Sequence, residues 1–233
     1  MRELLRARLN AAGIAAEAEQ IEKLVAFHRL LTEANARMNL TRVPDDPGEA
    51  IDRNYIDSLA PLSCLRGAET CVDVGSGAGF PGVPLAIFLP DTHFVLMDSL
   101  SKRVGFLSDV IAALSLNAEA VCLRAEEAGR GAYREAFDAA VARAVAPLNV
   151  LCELMLPLVR VGGRVLALKG PGAAAELEAA QTALETLGGR CLEVAEARVA
   201  GRNWAHTLAV LEKTAPTPEK YPRRVGIPEK RPL

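Results

Sequence analysis

Val72-Asp73-Val74-Gly75-Ser76-Gly77-Ala78-Gly79-Phe80-Pro81-Gly82 is the stretch on which the fold turns. An apolar run, Cys71 to Val74, gives way to clustered glycines and then to Val83-Pro84-Leu85-Ala86-Ile87-Phe88, which reads as a helix. Strand, glycine turn and helix in that order open an α/β unit. Glycines in such a turn let a ligand approach the backbone at the carboxyl edge of the sheet.

The same alternation continues downstream. Further strands are expected at His93–Met97, Ala120–Leu123, Phe137–Ala142 and Arg164–Leu168, with helices at Lys102–Leu114, Leu148–Val159 and Ala173–Leu187 between and after them. Short strands apolar on both faces and joined by helical crossovers imply a parallel, doubly wound sheet. Gly188-Gly189 then leads into two consecutive strand-like runs, Cys191 to Val199 and Trp204 to Lys213, with Gly201 in the turn. The expected fold is therefore α/β: a doubly wound, mostly parallel, seven-stranded Rossmann-like sheet whose last strand is antiparallel.

Upstream the rhythm is helical. Ile21, Leu24, Val25, His28, Leu31 and Met38 recur at spacings of three, four and seven, which predicts a helix over about Ala18–Ala36 and puts His28 at the edge of the core. Asn39-Leu40-Thr41 and Pro44-Asp45-Asp46-Pro47-Gly48 interrupt it, and a second helix is expected over about Glu49–Leu65. The chain thus divides into an N-terminal helical extension (1–68), the α/β domain (69–214) and a C-terminal tail (215–233).

Composition excludes disordered and collagen-like classes: of 233 residues, half are apolar and 24% charged, with a net charge of −2. A chain of this length buries enough surface to fold without disulfides or structural metal. No run approaches the roughly 18–20 apolar residues of a membrane span, and the opening MRELLRARLN lacks the apolar core of a signal peptide, so a cytoplasmic location is expected. Five scattered cysteines, Cys64, Cys71, Cys122, Cys152 and Cys191, read as small core residues in a reducing compartment rather than as a metal site. Residues 213–233 carry six basic and two acidic residues with five prolines, so the tail is expected to lie extended along the surface, either frayed or against nucleic acid.

Gly77 to Gly82 also fits G-x-G-x-x-G, which seats a dinucleotide pyrophosphate on a helix N-terminus. Asp73, two residues before the first glycine, sets a negative charge where a pyrophosphate needs bare amides. That charge suits S-adenosylmethionine (AdoMet), which carries an ammonium and a sulfonium. Asp98, closing the second strand, is placed to accept from ribose hydroxyls, which serves either ligand. The terminal hairpin resembles the AdoMet-dependent methyltransferase sheet more than a plain dinucleotide domain.

Absences narrow the acceptor. The turn after the fourth strand, Ala142-Arg143-Ala144-Val145-Ala146-Pro147, lacks the Asp/Asn-Pro-Pro-Tyr pattern of adenine amino methylation, and no cysteine there could attack cytosine C5. Guanine N7 offers its own in-plane lone pair, so transfer to it needs in-line placement rather than a general base. No catalytic residue is assigned for that reason.

The run from Asp73 to Ala86, with Asp98-Ser99-Leu100-Ser101-Lys102-Arg103, Arg124-Ala125-Glu126, Ala142-Arg143-Ala144, Leu168-Lys169-Gly170 and the tail from Tyr221, closely resembles the bacterial small-subunit ribosomal RNA guanine-N7 methyltransferase family, RsmG, also called glucose-inhibited division protein B. Met38-Asn39-Leu40-Thr41 and Asp57-Ser58-Leu59 fit its amino-terminal region. The resemblance covers nearly the whole chain. It implies methyl transfer from AdoMet to N7 of a guanine in the helix 18 loop of 16S rRNA, in the small ribosomal subunit. It further implies that Gly75 and Phe80 line the AdoMet pocket, that Ala125 and Glu126 meet the adenine end, and that Arg143 closes the pocket. Asp73, Gly77 and Asp98 join that set from the residue argument.

An unpaired loop base is the required target, because side chains cannot read the deep, narrow major groove of A-form RNA. Lys102 and Arg103, with Arg223, Arg224, Lys230 and Arg231 of the tail, are the candidates for RNA contact. A monomer acting on RNA, with no membrane partner, is expected. Two rival readings stay open at this point: a non-catalytic RNA-binding or ribosome-assembly protein, and an NAD(P)-dependent oxidoreductase.

Overall fold

The computed structural model describes residues 1–233 except Val43, Asp45, Arg198 and Ala205. Asp45 of the expected loop, and Arg198 and Ala205 of the expected hairpin runs, therefore lie outside the described residues.

Three helices come first: α1 (Arg2–Ala11), α2 (Ala18–Met38) and α3 (Pro47–Ile51). The α/β unit follows as β1 (Thr70–Val74), α4 (Gly82–Phe88), β2 (His93–Asp98), α5 (Ser101–Leu114), β3 (Ala118–Cys122), α6 (Ala125–Ala128), β4 (Phe137–Arg143), α7 (Leu148–Met155) and β5 (Val159–Lys169). It is completed by α8 (Ala173–Ala179), α9 (Gln181–Leu187), β6 (Gly189–Glu196) and β7 (Thr207–Lys213), and the tail carries α10 (Ile227–Lys230). The strands form one seven-stranded sheet in the order β3-β2-β1-β4-β5-β7-β6. The first five pair in parallel, and β7 runs antiparallel to both β5 and β6, so the closing hairpin places its second strand inside the sheet.

Burial explains the strand pattern. β1, β2 and β4, apolar on both faces, lie in the middle of the sheet and are buried nearly throughout, whereas the edge strands β3 and β6 keep several residues half-exposed or exposed. One face packs Phe94, Leu96, Val141 and Leu166 against α2, α4 and α5; the other packs Val72, Val95, Ala140 and Val165 against α7 and α9. The N-terminal helices share the first of these cores, through Leu5, Leu24, Phe27 and Leu31, with the sheet itself. Phe27 is wholly buried on the face of α2 that carries Leu24 and Leu31, while Met38, expected on that face, is exposed at the helix end.

Several expectations change. The helix expected over Glu49–Leu65 is instead α3, a π-helical turn at Asp52–Ile56 and two short 3-10 turns. Asp52, Asn54, Asp57 and Ser58 are all buried here, and buried polar groups must find partners off the helix axis. The Asp57 amide reaches back to the Asp52 carbonyl, and Arg143 Nη1 donates to the Arg53 carbonyl at 2.7 Å. Of the cysteines, only Cys71 and Cys152 are buried; Cys122 is exposed, because β3 is an edge strand.

The tail is not extended and loose. Arg223 Nε donates to both Glu153 oxygens at 2.9 and 3.0 Å, Arg134 donates to the carbonyls of Thr217 and Tyr221, and Tyr221 and Pro228 are buried. Lys213, wholly buried at the end of β7, donates to the Leu156 carbonyl and to Thr217 Oγ1. The prolines rule out a long helix or central strand, but they do not prevent docking. Among the described residues, no helix is long and apolar enough to cross a membrane.

Candidate functional site

The carboxyl ends of β1, β2 and β4 converge on a cleft of about 280 Å³. Gly75, Asp98, Ala125, Glu126 and Arg143 all line it, so five of the eight expected cofactor residues are brought together. Gly75 has φ +74°, and a β-carbon there would stand 2.8 Å from Val145 Cγ2. The position therefore needs glycine twice over, for backbone conformation and for the close approach of the β4 loop. Val145 and its neighbour Ala144, a non-glycine residue at φ +55°, also line the cleft, and the sequence reading assigned neither of them a role.

Asp98 ends β2 with both carboxylate oxygens held by the protein: Oδ2 accepts from the Gly77 amide at 2.9 Å and from Arg103 Nη1 at 3.3 Å, and Oδ1, which accepts from the Leu100 amide at 2.9 Å, keeps room for a further donor. Gly77 is thus a strut between loop and strand rather than part of the lining. Arg103, expected to face RNA, turns inward and lines the cleft beside Asp98. Glu126 is buried, and its Oε1 accepts the Gly226 amide at 2.9 Å, so the tail is tied to the cleft wall.

Asp73 and Phe80 do not line the cleft. Asp73 is wholly buried; its Oδ2 accepts the Gly82 amide at 2.9 Å, at the start of α4, and its Oδ1 has no partner among the described residues. Burial pushes its carboxyl up to about 7, against the opposing pull of the Gly82 hydrogen bond and of Arg143. The expectation that Asp73 points into the ligand space is corrected: it holds the glycine loop from behind. The Phe80 ring sits in an aromatic cluster with Phe27 at 5.2 Å and Tyr55 at 5.6 Å, with the Arg143 guanidinium 4.9 Å over its face. This cluster fastens α2 and the π-turn to the glycine loop, and Tyr55 Oη lies 3.0 Å from His28 Nδ1.

Across the Arg143–Val145 segment lies a second cavity of about 510 Å³, sharing Arg143, Ala144 and Val145 with the first. Its other polar lining comes from Arg53, Asn54 and Asp57 on the N-terminal side and from Lys169, Glu176 and His206 on the sheet side. His206 Nδ1 stands 2.8 Å from Asp57 Oδ1, and Arg143 Nη1 stands 3.4 Å from Asp57 Oδ2. An acid–histidine pair therefore does stand beside the cleft, although the residues around the glycine loop gave no sign of one. Cys152 lines neither cavity, and burial pushes its thiol up to about 12, so it stays protonated. Of the remaining RNA candidates, Lys102, Arg224, Lys230 and Arg231 are exposed, whereas Arg223 is committed to Glu153.

Comparison with known proteins agrees with this architecture. A family model described as rRNA small subunit methyltransferase G matches residues 20–204. The chain is 41% identical over 225 residues to the ribosomal RNA small subunit methyltransferase G of Alkaliphilus metalliredigens, covering 95% of this chain and 94% of that protein. It is 42% identical over 234 residues to the protein of the same name from Moorella thermoacetica, covering 99% and 97%. Among solved structures, the O-methyltransferase from Bacillus cereus in complex with SAH shares the fold at a TM-score of 0.56 and 15% identity, over 91% of this chain and 100% of that one. On the family match and the near-full-length identity, the chain belongs to the rRNA small subunit methyltransferase G family.

Proposed function

We propose that this chain transfers the methyl group of AdoMet to N7 of a guanine in the helix 18 loop of 16S rRNA, within the small ribosomal subunit. The observation that carries the reading is the state of the loop amides. In a dinucleotide site the amides at the first glycine turn and helix start are bare, because the pyrophosphate takes them. Here Asp73 takes the Gly82 amide and Asp98 takes the Gly77 amide. With both amides already taken, a pyrophosphate finds no bare donors there, which argues against an NAD(P) oxidoreductase. Asp98 and Glu126, the acidic side chains on the cleft wall, suit a nucleoside bearing positive charge, so the residues present fit AdoMet.

Asp98 and Glu126, with Gly75 and Ala125, would hold the nucleoside part, and Arg143 would close the cleft from β4. Bound there, AdoMet supplies an electrophilic methyl carried on a sulfonium. The chain's own task is then placement. Gly75 lets the β4 loop approach closely, the Asp73 and Asp98 struts fix the loop, and the Phe80 cluster locks it to the N-terminal helices. Rigid positioning of this kind accounts for large rate gains where no proton must be moved.

We further take the chain to work as a monomer in the cytoplasm. Residues 1–68 and 215–233 are read as functional attachments to the 69–214 methyltransferase domain, and Lys102, Arg224, Lys230 and Arg231 are read as the residues that meet RNA. The test is methyl incorporation from labelled AdoMet into small subunits from a strain lacking the enzyme, beside naked 16S rRNA and wild-type subunits, with N7-selective cleavage to map the site. One cleavage in the helix 18 loop, absent from the wild-type acceptor, is the expected result. Incorporation elsewhere rejects the proposed target, and AdoMet binding without any incorporation supports the assembly-protein reading instead.

A further inference from the structure

The four-residue helix α6 supplies Ala125 and Glu126 to the wall of the cofactor cleft. A helix that short is marginal by itself and takes its position from what packs on it. The tail packs on it. Gly129, which caps α6, comes so close to Pro222 that a β-carbon on it would stand 3.1 Å from Pro222 Cγ. Arg134 Nη1 donates to the Gly129 carbonyl at 3.0 Å and to the Tyr221 carbonyl at 2.8 Å, and Arg130 Nε donates to the Pro222 carbonyl at 2.6 Å. Next, Arg223 is anchored on α7: its amide and its Nε donate to Glu153 Oε1 at 2.7 and 2.9 Å, and Leu154, beside Glu153, is itself part of the cleft wall. The Gly226 amide then donates to Glu126 Oε1 at 2.9 Å.

Glu126 is 7% exposed, and the same side chain stands on the cleft wall and holds the tail. Gly226 has φ +77°, with nothing within 4 Å of where a β-carbon would be, so glycine serves the turn that presents its amide and not a shortage of room. Among the described residues, the tail contributes none to the cleft lining, so any effect it has on the ligand passes through α6 and α7.

Resting on the placement of Glu126 at the nucleoside part of AdoMet, we propose that the docked tail is a working part of the cofactor site: Gly226 is a positioning residue that holds Glu126 for the ligand, and AdoMet binding and tail docking strengthen each other. A carboxylate deprived of a charge-assisted amide donor is free to turn away from the nucleoside and take water instead. In the other direction, a ligand that holds Glu126 in its docked orientation stabilises the Gly226 contact by the same factor, because coupling between two binding events is reciprocal. The tail touches no reacting atom, and no proton moves.

The test uses the full-length protein and AdoMet, without RNA. A double-mutant cycle on the AdoMet dissociation constant, measured calorimetrically, compares wild type, Gly226→Pro, Glu126→Ala and the double variant. Proline removes the amide donor and cannot adopt φ +77°. Each single variant should weaken binding on the order of fivefold to a hundredfold. The double variant should lie within about twofold of Glu126→Ala, because the tail then has no carboxylate to act through. A misfolded fraction lowers the stoichiometry and leaves the dissociation constant unchanged. In the wild type, saturating AdoMet should also slow hydrogen exchange of the tail amides between residues 226 and 231 by about the same factor, and should fail to do so in Glu126→Ala. Effects that multiply in the double variant overturn the positioning role, as does tail exchange that AdoMet leaves unchanged in the wild type. Weakened binding in Glu126→Ala beside wild-type binding in Gly226→Pro overturns the tail's role alone. Wild-type binding in Glu126→Ala overturns the placement of Glu126 itself, and the tail's role with it.

Discussion

Asp73 and Gly82 close the glycine loop on itself, the carboxylate Oδ2 accepting the helix-start amide at 2.9 Å while Oδ1 has no partner among the described residues. Burial raises the folded-state value of this carboxyl from 3.8 to about 7. The folded protein therefore holds its proton more tightly than the unfolded chain, and unfolding stability falls as pH rises from about 4 through 7, then levels off. Asp73→Asn keeps an acceptor for Gly82 and removes that dependence. Urea titrations at pH 5 and pH 8 should show the variant gaining on wild type at the higher pH, by at most a few kcal/mol at about 1.4 kcal/mol per pKa unit. Asp73→Ala should lose about 1–3 kcal/mol at either pH, because the Gly82 amide is left buried and unpaired. Equal pH slopes in wild type and Asp73→Asn would show that Asp73 is ionised throughout.

Gly75 and Val145 are in mutual contact distance across the mouth of the cleft, so their substitutions should not add. Gly75→Ala sets a β-carbon 2.8 Å from Val145 Cγ2 and also strains a backbone at φ +74°. The strain alone costs roughly 1–2 kcal/mol, and the clash comes on top of it. AdoMet affinity, measured calorimetrically, should fall at least tenfold in Gly75→Ala. Val145→Ala in the same chain should restore part of that loss by removing the clash while leaving the strain. A double variant no better than Gly75→Ala would mean that the backbone conformation, and not the contact, sets the cleft.

Deleting the tail would confuse its docking with its proposed contact with RNA. Removing residues 215–233 leaves Glu153, whose side chain is 1% exposed, without Arg223, and such a loss costs on the order of 3 kcal/mol. A truncated protein that binds RNA poorly would thus report instability as much as lost contacts. Charge removal at Arg224, Lys230 and Arg231 avoids this, since all three are exposed. With about −0.7 per phosphate contact, replacing the three by glutamine should flatten the log–log salt dependence of RNA binding by about 2. Thermal stability should change little. An unchanged slope would place the RNA elsewhere on the surface.

The sheet was legible because its central strands are buried on both faces, and continuous apolar runs such as His93–Met97 have few other homes. The hairpin was legible from Gly188-Gly189 and two runs in succession, though only pairing shows that β7 inserts between β5 and β6. The site was half legible. Asp98 follows from where its strand ends, and strand ends are local, whereas Gly75 and Arg143 were implied by the family resemblance. Whether a carboxylate such as Asp73 faces a ligand or props a loop depends on partners nine residues away, and spacing does not reveal it. The second cavity was harder still: its walls come from residues 53–57, 143–147, 168–176 and 206, brought together only by sheet closure and by the irregular π-turn. Arg223 misled for the same reason, because a basic residue in a proline-rich tail looks solvated until Glu153 is found opposite it.

His206 and Asp57 offer the sharpest check on whether the reaction needs a base. Their atoms are 2.8 Å apart, which is the geometry of a general base and its orienting acid. Guanine N7 attacks with its own lone pair, so no proton leaves during transfer and the pair should serve only to hold Asp57 against Arg143. His206→Asn should therefore raise KM for the subunit several-fold through a loosened cavity wall, with a smaller effect on kcat. The pH profile of kcat should keep its shape between pH 6 and 8.5 in wild type and variant alike. A base mechanism predicts otherwise: wild-type kcat would rise with pH across that window, and the variant would lose that limb together with about 10²–10⁴ in rate. Loss of the limb would move the reaction from N7 to an acceptor that must shed a proton, such as an exocyclic amine or a hydroxyl, and N7-selective cleavage would then fail at the labelled position.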